Sequence, residues 1–139
     1  MGENFDEARM RAILSRAATI AVIGAKDKPS PVDDVGRYLI GRGLRVIPVH
    51  PARADVWGLT TYARLADIPE ELDVVDVFRA AEHCPAHARE VLALPARPKI
   101  FWLQSGIVSA EAEAILAGSG VACVSDACLM CDLRRLIPQ

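Results

Sequence analysis

Five short apolar runs, separated by stretches of helical or turn character, constrain this chain more than any other feature. They are TIAVIG (19–24), LRVIPV (44–49), DVVDVF (73–78), KIFWLQ (99–104) and VACVS (121–125). Each is short and almost continuously apolar, which predicts strands buried on both faces rather than strands wetted on one. The intervening segments read as helices. An amphipathic stretch from about Asp6 to Ala18 places Ala8, Ile13, Leu14 and Ala17 on one side. Asp33 or Asp34 can cap a second helix, with Val35, Leu39 and Ile40 inward, running to about Gly41 and closed at Gly43 by a left-handed turn. Pro85 suits the first turn of a third, which runs to about Leu94. Ser109 caps AEAEAILAGS, which Gly118 or Gly120 ends, and CLMCDLRRLIP forms a short helical tail. Residues 50–72 read as a polar connection with one helical turn near Tyr62–Ala66.

Strands alternating with helices imply a parallel sheet covered on both faces, and right-handed crossovers narrow the topology. The expected fold is α/β, a Rossmann-like doubly wound five-stranded parallel sheet with helices on both faces. A chain of 139 residues suits one domain, 1–139, with the 1–18 helix packed on it. Such folds bind ligands beyond the carboxyl ends of the strands. Here those ends are Gly24–Ser30, Val49–Arg53, Phe78–Glu82, Gln104–Ile107 and Ser125–Cys128.

Composition removes several classes of function. The chain is 52% hydrophobic, yet no apolar run approaches the roughly 18 residues of a membrane span. The N-terminus has no basic segment leading into an apolar one, so no secretory signal is read and the expected location is cytoplasmic. A net charge of −2 and only seven aromatic residues argue against nucleic acid. Four cysteines, Cys84, Cys123, Cys128 and Cys131, are expected to be reduced thiols in that compartment.

The loop after the first strand carries the sharpest signal. A dinucleotide-binding turn would offer two more glycines after Gly24 and an acid at the end of the second strand. This chain has Ala25, Lys26, Asp27, Lys28 and Pro29, then His50 where the acid would stand. From Gly24 to Arg53 the cations are Lys26, Lys28, Arg37, Arg42, Arg45 and Arg53, against Asp27, Asp33 and Asp34, an excess of three positive charges in an acidic chain. Arg37 and Arg42 read as the solvated face of a helix. Lys26 and Lys28 lie at a helix N-terminus, where amides already favour anions, and suit a ligand with several phosphates. A charged surface loop is the plainer alternative, and an NAD(P)-binding regulator stays open.

IAVIGAKDKPS, VGRYLIGRGLRVIPVHP, LADIPEELDVVDVFR, IFWLQSGI and DACLM, in this order, resemble the small stand-alone CoA-binding proteins of bacteria and archaea. These are similar in turn to the CoA-binding domain of the succinyl-CoA synthetase alpha subunit. The resemblance spans about Thr19 to Leu136. It implies coenzyme A or an acyl-CoA as the small-molecule ligand. Gly24, Ala25, Lys26, Asp27, Lys28, Pro29 and Ser30 match the diphosphate turn, with its amides and the two lysines as the seat. Arg45 falls near a CoA-contacting lysine, and Val49, His50 and Pro51 match the family's VHP segment. Phe78 and Arg79 close the third strand; Leu103, Gln104, Ser105 and Gly106 match the segment lining the CoA site; Cys128 matches a cysteine after the last strand. Lys26 stands where relatives often have serine, Ala127 where they have arginine, and Asp132-Leu133 where many have Glu-His. The resemblance implies a binding domain without the phosphohistidine and ATP-grasp parts of the ligase, so ligation is not expected. A homo-oligomer or a protein partner supplying catalysis is left open.

Other chemistries are thinner. Cys128-x-x-Cys131 reads first as two small apolar side chains in the tail, second as a redox pair or a single reactive thiol at Cys128, able to form a mixed disulfide with CoA. His83 and His87 share a helix face and, with Cys128 and Cys131, could make a zinc site only if the tail packs against them. Asp76 is expected near a sheet edge or a helix terminus. Trp57 and Trp102 read as packing residues more readily than as platforms for adenine. No Gly-x-Ser-x-Gly elbow or GKS/T phosphate loop occurs.

Overall fold

The computed structural model describes residues 7–139. Five parallel strands form one sheet: β1 (Thr19–Ile23), β2 (Arg45–Val49), β3 (Val74–Val77), β4 (Ile100–Leu103) and β5 (Ala122–Val124), in the order β2-β1-β3-β4-β5. The doubly wound expectation therefore holds, in the variant whose switch point lies between β1 and β3. Helices α1 (Glu7–Leu14), α2 (Pro31–Gly41) and α5 (Leu129–Leu136) cover one face. Helices α3 (Cys84–Leu92) and α4 (Ala110–Leu116) cover the other. Alternation along β1 feeds both cores: Ala21 and Ile23 pack under α3 and α4, and Ile20 and Val22 under α2 and α5. That explains the unbroken apolar runs.

Several local expectations need correction. Asp6 lies outside the described residues, and in α1 Leu14 is buried whereas Ala8 is exposed. Ser30, not Asp33 or Asp34, caps α2: its Oγ accepts the Asp33 amide at 3.4 Å, and Pro31 follows in the first turn. That frees Asp33 to accept from Arg37 Nε at 2.9 Å and from Trp57 Nε1 at 2.8 Å. Ile40 is at the surface. Gly43 does close α2 with a positive φ of 83°, and Ser109 caps α4.

The 50–72 connection crosses from β2 to β3 with two short 3-10 turns, Val56–Gly58 and Leu65–Asp67. Within it Tyr62 forms a single parallel bridge to Val49: its amide donates to the Pro48 carbonyl, and its carbonyl accepts from the His50 amide. Pro48 is tolerated because β2 is the outermost strand.

Candidate functional site

A cleft of about 800 Å³ opens across the carboxyl ends of the strands. Its walls come from the segments after β1, β2, β3 and β4 and from the start of α5, with the first turn of α2 on one side. Three strand spacings separate β2 from β4, so the cleft runs at least about 14 Å along the edge.

Gly24 sets the floor. Its φ is +85°, and a Cβ there would lie 2.4 Å from the Phe78 carbonyl oxygen. No other residue lets β1 and β3 come this close as they end. The next residues behave differently from a simple phosphate turn. The Gly24 and Ala25 amides both donate to the Val49 carbonyl, at 2.9 and 3.3 Å, and Ala25 is fully buried. Those two amides are committed to the end of β2. The amides of Lys26, Asp27, Lys28 and Ser30 have no acceptor among the described residues. The Ser30 hydroxyl lines the cleft but is committed, donating to the Lys28 carbonyl at 2.7 Å and capping α2. Lys26 lines the cleft, whereas Asp27, Lys28 and Pro29 are exposed and outside it.

The cations facing the cleft are Lys26, Arg53 and Arg79, against the single acid Asp34. None of the three makes an ion pair among the described residues. Arg53 Nε is buried with no hydrogen-bond acceptor, an orphan donor of the kind a bound anion satisfies. His50 Nδ1 accepts the amides of Ala52 and Arg53 at 3.0 and 3.1 Å, which leaves the proton of the neutral ring on Nε2. Burial first, then the charges of Arg53 and Arg79, hold its pKa below the ordinary imidazole range. The neutral ring adds a donor to this end of the cleft.

The other end is different. Gln104, almost fully buried, accepts the Leu129 amide through Oε1 at 3.1 Å and so ties the end of β4 to the first turn of α5. Ile107, Cys128 and Met130 line this end, which carries no charged residue. Cys128 caps α5, its Sγ accepting the Cys131 amide at 3.4 Å. Asp76 lies on the face of β3 shared by Val22 and Trp102, fully buried, with neither carboxyl oxygen hydrogen-bonded. It is not at a sheet edge or a helix terminus as expected, because β3 is the central strand. Burial, reinforced by the field of Cys128, pushes its pKa well above the carboxylate range.

The structure thus brings together Gly24, Lys26, Ser30, His50, Phe78, Arg79, Gln104, Ser105 and Cys128. It does not place the other candidates on the cleft. Arg45 lies farthest from it: it opens β2, about 13 Å of strand from Val49, and pairs with Glu70. Val49 and Leu103 point into the core, Pro51 is exposed, and Gly106 shapes a turn by donating its amide to Asp126 at 2.7 Å. Arg53, Ala80, Ile107 and Met130 were not singled out. Arg53 had a signal, since it was one of the cations at the end of β2; Ile107 and Met130 had none beyond position.

Trp102 Nε1 donates to the Ala127 carbonyl at 2.8 Å from the core, and Trp57 packs on Gly36, so both act as packing residues. His87 pairs with Glu90 within α3, and no three potential ligands gather around a metal position among the described residues. No helix of the described residues is long and apolar enough to cross a membrane.

Fold and cleft together define a doubly wound α/β domain with an anion-favouring cleft at its switch point. A family model described as "CoA binding domain" matches residues 18–134, and the chain belongs to that family. The chain is 33% identical over 128 residues to the uncharacterized protein YneT of Bacillus subtilis (strain 168), covering 91% of this chain and 93% of that one. Among solved structures, a Thermus thermophilus protein described as cell-free ID.343 superposes with a TM-score of 0.88 at 43% identity, over 96% of this chain and 100% of that one. A hypothetical protein from Pyrococcus horikoshii OT3 does so with a TM-score of 0.89 at 29% identity, over 99% of each.

Proposed function

We propose that the cleft binds coenzyme A or an acyl-CoA laid along the carboxyl edge of the sheet. The phosphates lie over Lys26, Arg53 and Arg79, and the thiol or thioester end lies toward Ile107, Cys128 and Met130. One observation carries this reading: the cleft is polarised along its length. Its cations gather after β1, β2 and β3, whereas the lining after β4 and β5 is uncharged and holds the Cys128 thiol. A ligand that is polyanionic at one end and carries sulfur at the other matches that gradient. Membership of the CoA-binding family supports it. So do the buried orphan donor of Arg53 and the free amides of the Lys26–Ser30 turn, which suit phosphate oxygens. The cationic seat differs from the sequence expectation in its members: Arg53 and Arg79 take the place given to Lys28.

Calorimetry with CoA, acetyl-CoA and NADH in parallel tests this reading. CoA and acetyl-CoA are expected to bind, and NADH weakly or not at all. A hydrogen bond to a charged group contributes about 1.5–3 kcal/mol, so Arg53→Gln and Arg79→Gln should each weaken CoA by roughly ten- to a hundredfold. Preference for NADH, or indifference to both substitutions, would overturn it.

A further inference from the structure

The cysteine at the uncharged end of the cleft is one of a pair. Cys128 is the N-cap of α5 and Cys131 stands three residues on, the spacing at which side chains meet over the first turn of a helix. The Cys131 amide donates to Cys128 Sγ at 3.4 Å. Hydrogen bonding with Cys128, ahead of burial, pushes the Cys131 thiol up. Cys128 is half-buried in the cleft wall, whereas Cys131 is exposed. Asp76 is fully buried on the central strand without a hydrogen-bond partner, and burial first, then the field of Cys128, pushes its carboxyl well above the ordinary range. The other two thiols are removed from this chemistry, since Cys84 and Cys123 are core residues and burial pushes Cys123 up to about 11.

We infer that Cys128 and Cys131 form a dithiol that reduces a disulfide of the ligand held in the cleft, with Cys128 attacking and Cys131 resolving. The inference rests on the CoA reading above and goes beyond it in naming the substrate: a CoA disulfide, either symmetrical or mixed with another small thiol. In the first step Cys128 Sγ gives up its proton and attacks one sulfur of the ligand disulfide. That S–S bond breaks, one ligand thiol leaves with a proton, and Cys128 is joined to the retained CoA half. In the second step Cys131 Sγ, likewise deprotonated, attacks Cys128 Sγ. The joint breaks, the second ligand thiol leaves with a proton, and a Cys128–Cys131 disulfide remains. Two protein thiols are oxidised and one disulfide is reduced to two thiols, so electrons and protons balance with the ligand disulfide as the oxidant. The polarised cleft gives the step its direction, because phosphates held over Lys26, Arg53 and Arg79 leave the sulfur end facing Cys128.

The test uses the reduced full chain with the symmetrical CoA disulfide, read by intact mass and by release of free thiol. The wild type should lose two hydrogens in mass and release two thiols per chain. Cys131→Ser should stop at a protein heavier by one CoA moiety, with one thiol released. Cys128→Ser should react at least about a hundredfold more slowly, because the attacking sulfur is gone. Glutathione disulfide, lacking the phosphates, should react with the wild type at least about tenfold more slowly. Calorimetry of reduced wild type with CoA runs alongside. CoA binding with no change in mass under CoA disulfide overturns this inference and leaves the binding reading intact. Equal rates with both disulfides and no CoA binding overturn both. An adduct that persists unresolved in the wild type removes the role of Cys131.

Discussion

Gly24 shows what one residue can be required to do. Its positive φ and the 2.4 Å approach of the Phe78 carbonyl leave no room for a side chain. Gly24→Ala should lower stability by about 1–3 kcal/mol, the cost of a non-glycine residue held in a sparsely populated backbone region, before the clash is added. A fall in thermal midpoint together with weaker CoA binding is the expected result; an unchanged midpoint contradicts the geometry. Asp76 sets a second test. Its folded form keeps its proton after the unfolded chain, at an ordinary value of 3.8, has lost it. Over that window the folded state binds more protons, so raising the pH works against folding. Asp76→Asn carries no such proton, so its midpoint relative to wild type should climb from pH 5 to pH 8. A difference that stays flat would show that Asp76 ionises normally. The glycine was readable in the sequence as the end of a strand. The burial of Asp76 was not, because an acid inside DVVDVF reads equally well as an edge position until the strand order is known.

Among the elements, α2 holds the cleft's side wall, and Trp57 holds α2. A Cβ on Gly36 would lie 2.2 Å from the Trp57 ring, whose Nε1 donates to Asp33 one turn earlier. Gly36→Ala should therefore cost about 1–3 kcal/mol by overpacking and shift Trp57 fluorescence, although alanine is the better helix former. Stabilisation with unchanged fluorescence would mean that Trp57 does not sit there. The loop after β1 gives a sharper contrast. Lys28 is exposed and off the cleft, so Lys28→Gln should change CoA affinity by less than about threefold, against the larger losses at Arg53 and Arg79. If Lys28→Gln proves as costly as Arg53→Gln, the seat includes the outer loop after all. Charge density pointed to the region where the cleft opens but could not tell which side chains turn inward, since the Gly24 and Ala25 amides are drawn to Val49 and the loop's path follows from that.

For the molecule as a whole, the cleft joins segments far apart in sequence, so its occupant should act on global stability. A ligand bound only by the folded state at a hundred times its Kd adds about 2.7 kcal/mol. Thermal unfolding of the wild type with excess CoA should show a clear upward shift, and the combined Lys26→Gln, Arg53→Gln and Arg79→Gln variant should lose it. A shift that survives in that variant places the ligand elsewhere. The period and length of the apolar runs were enough to specify a parallel sheet buried on both faces, because an alternating strand cannot be dry on both sides, and glycine, proline and serine marked the breaks between elements. Position alone also pointed to the carboxyl edge, where the cleft opens. Only the folded chain decided that β1 lies between β2 and β3, that Arg45 falls at the far end of its strand, and that Asp76 is buried on the central strand. Those outcomes depend on which strands become neighbours and which way side chains face, and such long-range packing leaves no local pattern in the chain.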